Sequence, residues 1–325
     1  MNFTKYLSIS IMFMFFSCTK EINIEYNANE AKQFVVNGYI ENDSVPRILL
    51  QRSLPYFDPI DLDNKFFNSL INDATVTITT SSGASETLSL VQNDSPPYGN
   101  IGFADTWFYN YEGSGYIVGQ EGMSYRLDIE KDDTLLWAVA TIPKLAAINS
   151  DDLRFLYRAD DSAYCYLIGS LNDPDTIGNC YRAFSYTESP KYGPDLFFMP
   201  MLEQDGNYND EYINGWTDFS FPMYKGRGFW QEWGEQENEE NDNNEVDGSS
   251  GATTGFWNIG DIVTVKWSSV DRGSWDFWAS LQYNNPGGPF GSPAQAQSNI
   301  NGGLGVFGGS SSQYIKDLVA NPEDN

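Results

Sequence analysis

The sequence predicts a mainly β protein, an N-terminal β-sandwich followed by a second β-rich domain that carries one short helix. Three observations lead there. Short runs of β-branched and aromatic residues recur along the chain with turn residues between them. Several of these runs alternate apolar and polar side chains, as a half-buried strand requires. Aromatic residues make up 15% of the chain, and large rings suit pleated surfaces.

In order, the β-type runs of the first half are 34–40, 47–51, 74–80, 87–91, 116–118, 124–129 and 135–142. Val76 and Ile78 alternate with Thr75, Thr77 and Thr79, and Tyr125, Leu127 and Ile129 alternate with Arg126 and Asp128. This density of short strands implies a two-sheet sandwich over 34–146, with Pro143 near its end. The stretch 121–129 resembles the penultimate strand of immunoglobulin-like and prealbumin-like modules on bacterial surface proteins. Residues 55–72 read as a long aromatic and acidic loop.

The second half, 147–325, is less regular. Runs 163–170 and 179–187 suggest a hairpin turning about Asn172-Asp173-Pro174-Asp175. Cys165 and Cys180 are equidistant from that turn, so a cross-strand disulfide is expected, the alternative being two buried free thiols. In 261–269, Val263, Val265 and Trp267 share one face of the cleanest alternating strand. Trp275, Phe277, Trp278 and Leu281 predict a helix over 271–282 that buries its aromatics on a sheet. The Gly-, Pro-, Asn- and Ser-rich stretch 286–312 is expected to wrap irregularly, with one short strand at 304–307.

The first 17 residues read as an export signal. Lys5 gives a positive start, 6–16 is apolar but too short to span a bilayer, and Ser17-Cys18 follows. These residues resemble a bacterial lipobox, which implies lipid on Cys18; an ordinary signal peptide is the plainer alternative. Residues 18–33 would be a polar tether, and the lipid the membrane attachment. Lys20-Glu21 and Glu25 resemble the acidic signal by which Bacteroidota send lipoproteins to the cell surface. The expected location is the outer membrane, facing outward.

Charge narrows the function further. With 18 basic and 45 acidic side chains the formal net charge is −27, and losing the leader removes Lys5 but no acid. Such a chain cannot neutralise phosphates, so nucleic acid is excluded as a partner. The chain has no histidine, which removes Ser-His-Asp and Cys-His nucleophile systems and most catalytic zinc sites. Residues 235–247 hold seven acids among Asn and Gln, without the alternating carboxylates and turn glycine of a calcium loop, and read as solvated. Just upstream, Trp230 and Trp233 are candidates for stacking on a glycan or anchoring a peptide or protein partner, against the plainer reading of burial. Gly303-Leu304-Gly305-Val306-Phe307-Gly308 matches a dinucleotide-binding pattern literally. Too little chain follows it for a βαβ unit, so no such cofactor is expected. No pair of carboxylates stands out for glycoside hydrolysis.

Several landmarks together resemble a Bacteroidota outer-membrane lipoprotein family known as domain of unknown function 4249. They are Cys18 in its lipobox, the stretch 34–40, Arg52-Ser53 before Tyr56-Phe57-Asp58, and Asn179-Cys180-Tyr181-Arg182. Further on come Gly260-Asp261, the Trp278 segment, Gly288-Pro289-Phe290 with Pro293, and Asn299-Ile300 before Gly302-Gly303-Leu304-Gly305. Cys180 stands where an aromatic is expected, and the 235–247 run is not a recognised feature of the family. The resemblance implies a surface lipoprotein often encoded near TonB-dependent receptors, and brings no catalytic residue. The expected function is therefore a non-enzymatic accessory or ligand-binding partner of such a transporter, without cofactor or metal. A free-standing glycan-binding adhesin is the alternative, with a carboxylate glycosidase behind it.

Overall fold

The computed structural model describes residues 33–53, 69–92, 109–195, 198–201, 206–226, 255–283 and 296–322. In the first half run β1 (Phe34–Glu41), β2 (Arg47–Arg52), β3 (Thr75–Thr80), β4 (Ser85–Thr87), β5 (Ser89–Gln92), β6 (Tyr109–Glu112), β7 (Ser124–Lys131) and β8 (Thr134–Thr141). The second half adds β9 (Arg154–Arg158), β10 (Asp161–Leu171), β11 (Cys180–Ser189), β12 (Gly193–Pro194), β13 (Met199–Pro200), β14 (Asn207–Asn209), β15 (Phe219–Met223), β16 (Trp257–Asn258) and β17 (Ile262–Val270). Helix α1 (Arg272–Tyr283) and the long strand β18 (Leu304–Val319) follow.

One ten-stranded sheet has the order β12-β11-β17-β18-β1-β2-β6-β5, with β13 and β14 also pairing with β11. Two four-stranded sheets accompany it, one ordered β4-β3-β7-β8 and the other β15-β10-β16 with β9 beside β10. The halves meet where β18 lies between β17 and β1. It runs antiparallel to β17 and parallel to β1, in register from Val35↔Leu304 to Glu41↔Ser310. Gly305 makes this pairing feasible: its φ is +107°, and a side-chain carbon there would lie 1.9 Å from the Val36 carbonyl oxygen.

Alternation sets which face of the long sheet is buried. Phe307 and Ile315 lie on the same side of β18; Phe307 joins the first core and Ile315 packs against the second. Both small sheets therefore cover one face of the long sheet. The first core is mainly aliphatic, with Ile40, Ile48, Leu50, Val76, Ile78, Leu127, Ile129 and Leu136, and also takes in Phe34, Tyr111, Tyr125 and Phe307. The second is aromatic, with Tyr181, Trp257 and Trp267 among its members.

Most predicted runs become strands within a residue or two, and α1 falls one residue from its predicted place. Asp271 caps it by accepting the Ser274 N–H at 2.8 Å. The expected hairpin does not form. β10 belongs to a small sheet and pairs with β9, β15 and β16, whereas β11 belongs to the long sheet. Cys165 and Cys180 consequently do not face one another, and both are buried free thiols rather than a disulfide. Residues 116–118 are a bend rather than a strand, and 109–112 is a strand the sequence reading passed over. The short strand expected at 304–307 forms but runs on to Val319 as β18, so 308–312 is strand rather than irregular wrap; 296–303 is irregular as expected, and 286–295 lies outside the described residues. Among the described residues no helix is long and apolar enough to cross a membrane.

Candidate functional site

The face of the long sheet turned away from both cores is polar and carries a cleft. Alternation presents Asn37, Tyr39 and Glu41 from β1, Gly308, Ser310, Ser312 and Tyr314 from β18, Lys266 and Ser268 from β17, and Arg182 and Phe184 from β11. Helix α1 crosses this face close to the backbone. Gly308 permits the approach, since a side-chain carbon there would lie 2.3 Å from Ser274 Oγ. The remaining space is a cleft of about 190 Å³ whose walls include Tyr39, Glu41, Arg182, Phe184, Lys266 and Trp278.

Glu41 organises one side. Its carboxylate accepts from Lys266 Nζ at 2.5 Å and from the Tyr314 hydroxyl at 2.8 Å. Burial, and then the Glu41 charge, push the Tyr314 phenol well above its ordinary value, so it stays protonated and donates. Across the cleft the Arg182 guanidinium lies 4.7 Å from the Phe184 ring centre and 4.4 Å from that of Trp278. Cation–ring contacts on two aromatics restrict where a guanidinium can sit. Lys266 sits 5.2 Å from the Tyr314 ring. Two cations against one carboxylate make the cleft the reverse in sign of a chain at −27. The arrangement suits binding of a flat or ring-shaped ligand with hydrogen-bond acceptors.

Of the candidate site residues named from sequence, the two that are described, Cys165 and Cys180, do not line this cleft. Cys18, Trp230, Trp233 and the run 235–247 fall outside the described residues. The Cys165 thiol donates to the Trp257 carbonyl at 3.7 Å, and burial pushes its pKa up to about 12. The Cys180 thiol donates to the Gly178 carbonyl at 3.6 Å, and burial pushes it up to about 11. Both thiols are therefore protonated and poorly nucleophilic at neutral pH. Among the described residues no three His, Cys, Asp or Glu side chains cluster as a metal site.

Glu41, Lys266, Arg182 and Trp278 are not legible as a set because they lie on four elements, of which β1 and β11 are far in the chain from β17 and α1. Their signal was nonetheless present. Three stretches on which the family resemblance rests, 34–40, Asn179-Cys180-Tyr181-Arg182 and the Trp278 segment, converge on this cleft.

A domain of unknown function, DUF4249, matches residues 19–315. The chain belongs to the DUF4249 family. That match takes in both cores, the cleft of this DUF4249 chain and most of β18. No curated protein matches the sequence.

Proposed function

We propose that this DUF4249 chain is a lipid-anchored outer-membrane protein that binds a ligand or partner in its far-face cleft, as a non-enzymatic accessory to a TonB-dependent transporter. The observation that carries the binding reading is the set of Arg182 and Lys266 among Phe184, Trp278 and Tyr314, held on a rigid sheet in an otherwise acidic chain. The leader and Cys18 support the anchor, and the family resemblance supports the transporter.

The test is to purify the tagged lipoprotein from detergent-solubilised envelopes and identify what accompanies it. A TonB-dependent receptor should co-purify, and should be lost when Tyr39→Ala and Lys266→Ala open and discharge the cleft. A preparation holding this chain alone would remove the transporter role. The adhesin alternative rested on Trp230 and Trp233, which lie outside the described residues.

A further inference from the structure

The small sheet β4-β3-β7-β8 covers the first core with one face and turns the other outward. Along its last strand, β8, the inward residues Leu136, Ala138 and Ala140 are buried. Their outward neighbours Leu135, Trp137 and Val139 are 53%, 36% and 49% exposed. Three successive apolar side chains on one outward stripe are unusual in a chain this acidic.

The stripe starts where the chain enters the fold. Phe34, the first residue of β1, pairs with Arg52, and Arg52 bridges to Asp132 in the β7–β8 turn at 3.2 Å, beside Leu135. On its other side Val35 pairs with Leu304, and three residues earlier Asn301 bridges to Trp137. On this face Glu130 stands exposed opposite Leu135, whereas the charges beside Trp137 are matched. Arg126 chelates Asp128 at 2.8 to 3.0 Å while lying 4.6 Å from the centre of the Trp137 ring.

We infer that this stripe rests on the lipid bilayer. The inference depends on the anchor proposed above, because Cys18 and the entry point at residue 33 are joined by 14 residues. As the polar tether the sequence predicts, 14 residues would span on the order of 20 Å, which would hold one end of the stripe near the surface. Burying three partly exposed side chains gains only a few kcal/mol at about 25 cal/mol per Å², too little for a free protein. Tethering changes that, because the contact becomes intramolecular at an effective concentration of order mM. Tryptophan favours the membrane–water interface, and a net charge of −27 rules out attraction to anionic headgroups as the driving force. Because the stripe and the cleft lie on opposite sides of the layered fold, this docking points the cleft away from the membrane.

The lipoprotein can be tested in phosphatidylcholine vesicles with an environment-sensitive label on Val139→Cys. The native thiols at 165 and 180 are buried and protonated, so the introduced one is labelled selectively. Brominated acyl chains should quench this label several-fold more than the same label on Tyr39→Cys, and Leu135→Ser with Trp137→Ser should abolish the difference. Equal quenching at 139 and 39, with mass spectrometry finding lipid on Cys18, would overturn the docking while leaving the anchor standing. A bare Cys18 would overturn both. Shielding of position 139 by cross-linking to a second copy, without quenching, would make the stripe a protein interface and overturn the docking.

Discussion

The two cores beneath the long sheet are built by different rules. The first is closed mainly by aliphatics, Ile40, Ile78, Leu127 and Ile129 among them, each fully buried without a polar atom to satisfy, with Tyr111 and Tyr125 as its two hydrogen-bonded rings. The second is closed by rings with handles. Trp267 stacks on Tyr181 with ring centres 5.3 Å apart and donates its indole N–H to the Ala146 carbonyl at 2.8 Å. Trp257 meets Phe155 edge-on and donates to Thr187 Oγ1 at 3.2 Å. The same half buries Lys225 and Asp261 as a pair 3.8 Å apart, and leaves the Ser185 and Ser189 hydroxyls without partners among the described residues. An aliphatic core is specified by volume, whereas an aromatic and polar one is specified by direction as well.

That contrast is most exposed to failure at Trp267. Replacement by Ala should cost about 3–5 kcal/mol in urea denaturation. Trp267→Phe keeps a ring but orphans the Ala146 carbonyl, and should still cost about 1–2 kcal/mol. A Phe variant as stable as the parent would show that volume alone governs the second core.

Asp271 clasps the two halves. Its carboxylate accepts from Gly309 of β18 at 3.0 Å and from Thr141 of β8 at 3.3 Å, besides capping α1. Burial outweighs those three donors and raises its pKa to about 6. The folded state therefore holds this proton more tightly than the unfolded chain, and its contribution to stability declines as pH rises through roughly 4 to 6. Over that window Asp271→Asn should flatten the loss by up to about 3 kcal/mol, read from denaturation midpoints at each pH. An unchanged slope would mean the clasp is ionised throughout.

In the first core Ile78→Val should cost about 0.5–1.5 kcal/mol, the ordinary price of one methylene. The smallest effect concerns the thiols. Reductant should leave the melting temperature unchanged, and a thiol reagent should modify neither Cys165 nor Cys180 until the chain unfolds. A drop in melting temperature with reductant would restore the disulfide.

The same difference explains what the sequence could and could not reveal. Strands of the first core announce themselves, because Val76-Thr77-Ile78-Thr79 can bury only alternate side chains if one sheet face is dry. Helix α1 was equally plain from its aromatic spacing. Only the start of β18 was legible, as the short strand at 304–307; the rest was hidden, because a strand inside a sheet is covered by its neighbours and can use Gly308 and three serines where an edge would need bulk. The β10–β11 hairpin failed because adjacency in sequence outweighed the partition between sheets, which depends on contacts to 219–223 and 257–258 far downstream. The cleft was hidden for a related reason. Attention to the buried face of 261–269 passed over Thr264, Lys266 and Ser268, the residues that look the other way.

The place of β18 in the middle of the long sheet also sets an order of assembly. Of the described strands β18 comes latest in the chain and must fit between β1, the earliest, and β17, so neither half-sheet loses its open edge until residues 304–319 arrive. A chain lacking β18 would present two unpaired edges at once, and its loss should drive the protein into aggregates rather than leave a working half.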